Sequence, residues 1–167
     1  MAFHKPTNSN KVTCAYHTKG GQWQAGYHTG TDYAGDYGDP VYAVAGGTVI
    51  HANRMGGWGL AYGIHVIIES EGVVEGKLQT LYAHLAYVNL EVIGKGKVKA
   101  GDIIGYVGST GTRSSGPHLH LEMRVAPFLY DNKTLNPESV IKLSPVGGIA
   151  KKPSQKPPVK KVGSVKK

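Results

Sequence analysis

The 167-residue chain contains a single cysteine, Cys14. That excludes an internal disulfide and a cysteine-based zinc ribbon, and it points to synthesis in a reducing compartment. Cys14 itself is expected to be a small buried hydrophobe. No stretch approaches the ~20 consecutive apolar residues of a membrane-spanning helix. The opening residues, MAFHKPTNSNKVTC, lack the charged segment, apolar block and cleavage site of a signal peptide. A basic face is missing too, although the net charge is +8. Residues 151–167, KKPSQKPPVKKVGSVKK, hold seven lysines and no acid, while the preceding 150 residues carry 12 basic against 11 acidic side chains. A nearly neutral body without a Lys/Arg stripe argues against nucleic-acid binding. No internal repeat is present, and no segment of the body sustains a helical period over four turns.

What is present is glycine, 24 of them, punctuating short runs rich in Val, Ile and Tyr. Strands are expected at 41–45, 47–52, 62–70, 77–86, 102–108 and 118–125, bounded by turn residues such as GDP (38–40), MGGWG (55–59) and GSTGTRSSGP (108–117). Short strands without alternating helices predict an all-β, mainly antiparallel domain. One short helix is expected late, in LNPESVIKL (135–143), with Asn136 as N-cap, Pro137 at the first helical position and Glu138 at the positive end of the dipole. The domain should span 1–143. Residues 144–167, rich in Pro and Lys, should form a flexible, disordered tail or linker.

Eight histidines are spread along the chain. His4 and His17 lie in or near the irregular N-terminal stretch. His51 and His65 sit in apolar strands, where a surface or satisfied core histidine is expected. His118 and His120, in GPHLHLEMR, are two apart on a strand, so they share a face while Leu119, Leu121 and Met123 point to a core. His28 and Asp32, in YHTGTDY, would stand roughly 13 Å apart in a straight strand, so they can share an ion only if the chain turns, at Gly30. A catalytic zinc takes three His or carboxylate ligands and keeps one position open. His28, Asp32 and one of the two strand histidines supply that shell. The other strand histidine and His84, in LYAHLA, are left to move protons or steady an oxyanion. There is no HExxH helix to supply a glutamate base.

In this order along the chain, HTGTDYAGDYGDPVYAVAGGTVI, LYAHL, VKAGDIIGYVGSTGTRSSGPHLHLEMR and LNPESVI resemble the lysostaphin-type zinc endopeptidases that cut peptidoglycan cross-bridges. The similarity runs from Gly26 to Leu143. It implies a mostly antiparallel β-fold with a substrate groove over the sheet. It also implies that His28, Asp32 and His120 bind one zinc ion per chain, with His84 and His118 the catalytic histidines. Which of these two is the general base is left open.

The expected function is hydrolysis of peptide bonds in peptidoglycan stem peptides or cross-bridges. A phage endolysin fits, a monomer made in the host cytoplasm and reaching the bacterial wall when the host lyses, with the basic tail drawn to anionic wall polymers. The alternative is a metal-free relative that binds the wall or regulates another hydrolase. The intact set His28, Asp32, His84, His118 and His120 counts against it. MGGWGLAYGIHVIIES departs from the family in length, so the shape of one groove wall is open. Trp58 in that turn either stacks on substrate or packs on its own loop, and GSTGTRSSGP is expected to form another wall.

Overall fold

In a computed structural model the described residues are 3–9, 11–53, 60–127 and 134–142. The turn bearing Trp58 and the tail expected over 144–167 lie outside the described residues. The strands are β1 (Val12–Cys14), β2 (Thr31–Ala34), β3 (Pro40–Tyr42), β4 (Gly47–Asn53), β5 (Ile64–Glu71), β6 (Lys77–Val88), β7 (Lys97–Val98), β8 (Ile103–Val107), β9 (His118–Val125) and β10 (Thr134–Leu135). Two short helices, α1 (Leu90–Ile93) and α2 (Pro137–Lys142), complete the set among the described residues.

All ten strands belong to one sheet, in the order β1-β2-β9-β6-β5-β4-β7, with β8 pairing β3 and β6, and β10 pairing β9. Every pairing is antiparallel. The expected all-β architecture therefore holds. Strands β4, β5, β6, β8 and β9 fall where turn residues bounded the apolar runs. The run 41–45 contributes only its first two residues, as the end of β3. Strands β1, β2, β7 and β10 were not expected: at two to four residues they are too short to display an alternation. Helix α2 starts as expected, with the Glu138 amide donating to Asn136 Oδ1 at 3.0 Å.

Strand β9 is buried on both faces. Leu119, Leu121 and Met123 are fully buried in the main core, with Val66 and Ile68 of β5 and Tyr82 and Leu85 of β6. Each such side chain contributes ~1.5–3 kcal/mol of burial. The other face carries His118, His120, Glu122 and Arg124 beside a small second cluster of Tyr62, Ile67, Leu81 and Ala83. Phe3 joins the main core and the His4 amide donates to Val44 O at 2.8 Å, so the first described residues dock on the same body.

Strand β6 breaks its alternation where the site needs it. Register with β5 runs Ile64↔Leu85 and then Val66↔Tyr82, leaving one extra residue on β6. This is a β-bulge, and His84 within it takes φ 60°, the left-handed region. The bulge lets Ala83 and His84 both leave the main core, while Leu85 returns to it. A non-glycine residue held there costs on the order of 1–3 kcal/mol. His84→Gly is accordingly expected to be more stable than His84→Ala by ~1 kcal/mol, because only alanine keeps the Cβ penalty. Urea midpoints of the two variants check this, and equal midpoints would mean the bulge carries no strain.

Candidate active site

Strand β9 supplies the site's floor and its neighbours supply the rest. On one side β2 pairs it with Asp32↔His120 and Ala34↔His118, and on the other β6 pairs it with Ala83↔His120. His28 precedes β2, held by reciprocal backbone bonds in which the His17 amide donates to His28 O (2.9 Å) and the His28 amide to Thr18 O (2.8 Å). The chain bends at Thr29 and Gly30. His28 Nε2 thereby reaches 3.1 Å from Asp32 Oδ1. Gly30 is needed for closeness rather than for a positive φ. A Cβ there would meet Leu121 O at 2.3 Å and His120 Cε1 at 2.8 Å.

Three donor atoms form a nearly equilateral triangle. His28 Nε2 and His120 Nδ1 are 3.0 Å apart, and each lies close to Asp32 Oδ1, at 3.1 and 2.9 Å. Ligand bonds of ~2.0–2.1 Å in a tetrahedral zinc site set ligand-to-ligand edges of ~3.3 Å, so the donor set fits that ion within a few tenths of an ångström. The tautomers agree. A carbonyl oxygen only accepts, so His28 Nδ1 donates to Ala15 O (3.2 Å), His84 Nδ1 to Thr110 O (2.7 Å) and His118 Nδ1 to Gly116 O (2.8 Å). The Nε2 lone pair of each is then free to face the site. His120 is reversed: Nε2 faces Glu122 Oε2 at 3.2 Å, and Nδ1 points into the triangle.

The electrostatics favour a cation at the triangle. Burial by itself raises the Asp32 pKa, yet the neighbouring His120 and His28 rings bring it well below the usual carboxylate range. Burial by itself lowers that of His120, yet Asp32 and Glu122 draw positive charge onto the ring and lift it to about 9. A divalent cation would supply that charge and release the proton. His84 is different: burial, reinforced by the nearby His120 charge, pushes it down to about 4. At neutral pH it is an uncharged proton acceptor.

All five residues expected to form the site come together. The His84 and His118 ring centroids are 4.8 Å apart, and His118 Nε2 lies 3.8 Å from Asp32 Oδ2. Cys14 is not the buried hydrophobe expected. It is half-buried, and its sulfur and donor atoms of His28 and Asp32 lie within 4.8 Å of one another. Burial raises the thiol pKa, and the imidazole of His120, at 2.9 Å from Asp32 Oδ1 and 3.0 Å from His28 Nε2, closes the tighter donor set. His51 and His65 stack at 5.1 Å in β4 and β5, His65 buried with Nδ1 donating to Gly63 O and His51 half-buried.

Two cavities meet at Asp32 and His118. A cavity of about 260 Å³ is bordered by Trp23, Tyr27, Tyr62, His84, His120 and Arg113. A second, of about 560 Å³, runs past Cys14, Asp36, Asp39 and Ser115 to Pro117, and Asp32 and His118 line both. Arg113 and residues 115–117 belong to GSTGTRSSGP, so that loop does wall the groove. Arg113 Nη1 also donates to Gln22 O at 2.6 Å, joining this loop to the one carrying Trp23, whose ring is 5.2 Å from that of His28. Sequence reasoning passed over Trp23, Thr29, Tyr62, Glu122 and Arg124. Glu122 and Arg124 were detectable, since period two places them on the same face as the two histidines.

Residues 26–137 match the description Peptidase family M23. Over 113 residues the chain is 43% identical to the DD-carboxypeptidase/endopeptidase Mpg of Neisseria meningitidis, covering 68% of this chain and 22% of that protein. The chain thus spans about a fifth of the length of this curated relative. Among solved structures, the catalytic domain of the antimicrobial peptidase lysostaphin from Staphylococcus simulans superposes with a TM-score of 0.66 at 31% identity, covering 79% of this chain and 92% of that domain. A zinc containing peptidase from Vibrio cholerae superposes with a TM-score of 0.62 at 29% identity, covering 88% of this chain and 41% of that one. With the family match covering residues 26–137, a lysostaphin-like fold and the ordered motifs around its histidines, the chain belongs to peptidase family M23.

Proposed function

We propose that the chain is a zinc-dependent endopeptidase acting on peptide bonds of bacterial peptidoglycan, with His28, Asp32 and His120 holding the metal and His84 and His118 serving catalysis. The observation that carries this reading is the donor triangle, with edges of 2.9 to 3.1 Å, and the two further imidazoles turning Nε2 toward it. Zinc, when bound, supplies a Lewis acid for the peptide carbonyl and lowers the pKa of a coordinated water toward ~7.

The chain's own residues do the proton work. His84, kept neutral by burial and fixed by Thr110 O, is suited to accept a proton at Nε2. His118, across from it and held by Gly116 O, is suited in its imidazolium form, with a proton on Nε2 as well, to hydrogen-bond the carbonyl oxygen or to protonate the leaving amine. The cavities flanking Asp32 and His118 favour endopeptidase over exopeptidase action, since a chain can extend both ways from the scissile bond.

The test joins metal analysis to product analysis. We expect one zinc per chain, loss of wall hydrolysis on chelation and its return with added zinc. Mass spectrometry of muropeptides from purified walls should show new amino termini and no new reducing sugar ends. Activity indifferent to chelator in a zinc-free protein would end the proposal. New reducing ends alone would make the enzyme a glycan hydrolase.

A further inference from the structure

The four site histidines do not orient themselves in the same way. His28, His84 and His118 each give Nδ1–H to a backbone carbonyl. His120 turns Nδ1 into the donor triangle and therefore needs an acceptor on its other side. We infer that Glu122 is the positioning residue that meets this need: its carboxylate holds His120 as the Nε2–H tautomer and so keeps the Nδ1 lone pair directed at the metal. The inference rests on the zinc reading above.

Glu122 is fully buried, two residues along β9 from His120 and on the same face. Its Oε2 accepts from Thr29 Oγ1 at 2.7 Å and from Tyr62 Oη at 3.1 Å, and it faces His120 Nε2 at 3.2 Å. Its Oε1 accepts from Arg124, through both Nε and Nη2. A carboxylate receiving from two hydroxyls and a guanidinium has no proton to offer the ring, so the hydrogen between Glu122 and His120 belongs to the imidazole. Were the pair with Arg124 its whole purpose, Oε2 would not be occupied by the ring and two hydroxyls. Thr29 is also the neighbour of His28, so one carboxylate braces the segments that carry both imidazoles of the triangle. Partners of metal-binding histidines placed in this way typically change metal affinity 10–100-fold when removed.

Removing Glu122 alone takes the carboxylate from buried Arg124 and endangers the fold. Two double variants avoid this. Glu122→Met/Arg124→Met replaces the ion pair by apolar chains of similar size, and Glu122→Gln/Arg124→Met restores only a neutral acceptor oxygen. Both lack the ion pair and differ in the acceptor offered to His120 Nε2, Thr29 Oγ1 and Tyr62 Oη, so the His120 tautomer read beside the affinity isolates the effect on the ring. Zinc affinity of the full chain would be measured by chelator competition, with circular dichroism to confirm folding. Ring tautomers would be read from long-range 1H–15N spectra of the zinc-bound protein.

The glutamine variant should bind zinc at least ~10-fold more tightly than the methionine variant, with His120 held as Nε2–H. Equal affinities in two folded variants would overturn the inference. So would a wild-type spectrum with Nε2 of His120 on the metal, whatever the variants do. A wild-type chain that binds no zinc would overturn the proposed function as well, which separates the two failures.

Discussion

His120→Ala should remove zinc and turnover together, whereas His118→Ala should keep the metal and lose much of the rate. The reason is geometric. His120 Nδ1 is one corner of the donor triangle, 2.9 Å from Asp32 Oδ1 and 3.0 Å from His28 Nε2. His118 Nε2 stands outside it, 3.8 Å from the other oxygen of Asp32. Removing a corner leaves two protein ligands. Removing a positioned acid–base group costs ~10²–10⁴-fold in rate. His28→Ala and Asp32→Ala should behave like His120→Ala, and His84→Ala like His118→Ala.

Stability should divide along the same line. A metal present at 100 times its dissociation constant adds ~2.7 kcal/mol to the folded state, and only the ligand variants forfeit it. Zinc content, turnover and urea midpoint measured together on the five variants test the assignment. Zinc lost from His118→Ala and retained by His120→Ala would reverse it. Zinc lost from both would put both strand histidines on the metal and leave His84 alone for catalysis.

Gly30→Ala should be nearly as damaging although it removes no functional group. The new Cβ would meet Leu121 O, a backbone atom, at 2.3 Å, and the His120 ring at 2.8 and 3.0 Å. Something must move, and the pairing Thr31↔Leu121 leaves the backbone little room. Overpacking of this kind costs ~1–3 kcal/mol. Displacing His120 by even an ångström carries a loss of about 10²-fold in rate. Gly21→Ala is the control, since a Cβ there has nothing within 4 Å. A Gly30→Ala protein with wild-type zinc affinity and rate would show that β2 and β9 can separate freely at this point.

The parts of the fold that could be read from the chain are those governed by local rules. Strands β4, β5, β6, β8 and β9 have enough residues to show their apolar runs, and turn residues mark their ends. Strand β2, which carries Asp32, has four residues and no such pattern, so it emerges only from its pairing with β9. Cys14 was misjudged for a related reason. Its chemistry favours burial, but β1 pairs Cys14 with Asp32 at the sheet's edge and so leaves it at the wall of the site.

By itself the sequence determined that a strand offers His118 and His120 to one side and Leu119, Leu121 and Met123 to the other, because side chains on a strand alternate with period two. It also determined that His28 and Asp32 could meet only across a bend. The tertiary structure alone decided which nitrogen His28 and His84 turn inward, because their tautomers are set by acceptors distant in the chain: Ala15 O for His28 and Thr110 O for His84. It decided that His84 adopts a left-handed conformation, which follows from one extra residue in the register against β5. It decided, too, that Glu122 is enclosed by Thr29, Tyr62, His120 and Arg124. Hydrogen-bond partners and register are properties of strands brought side by side, and a single strand's pattern specifies only the face a residue occupies.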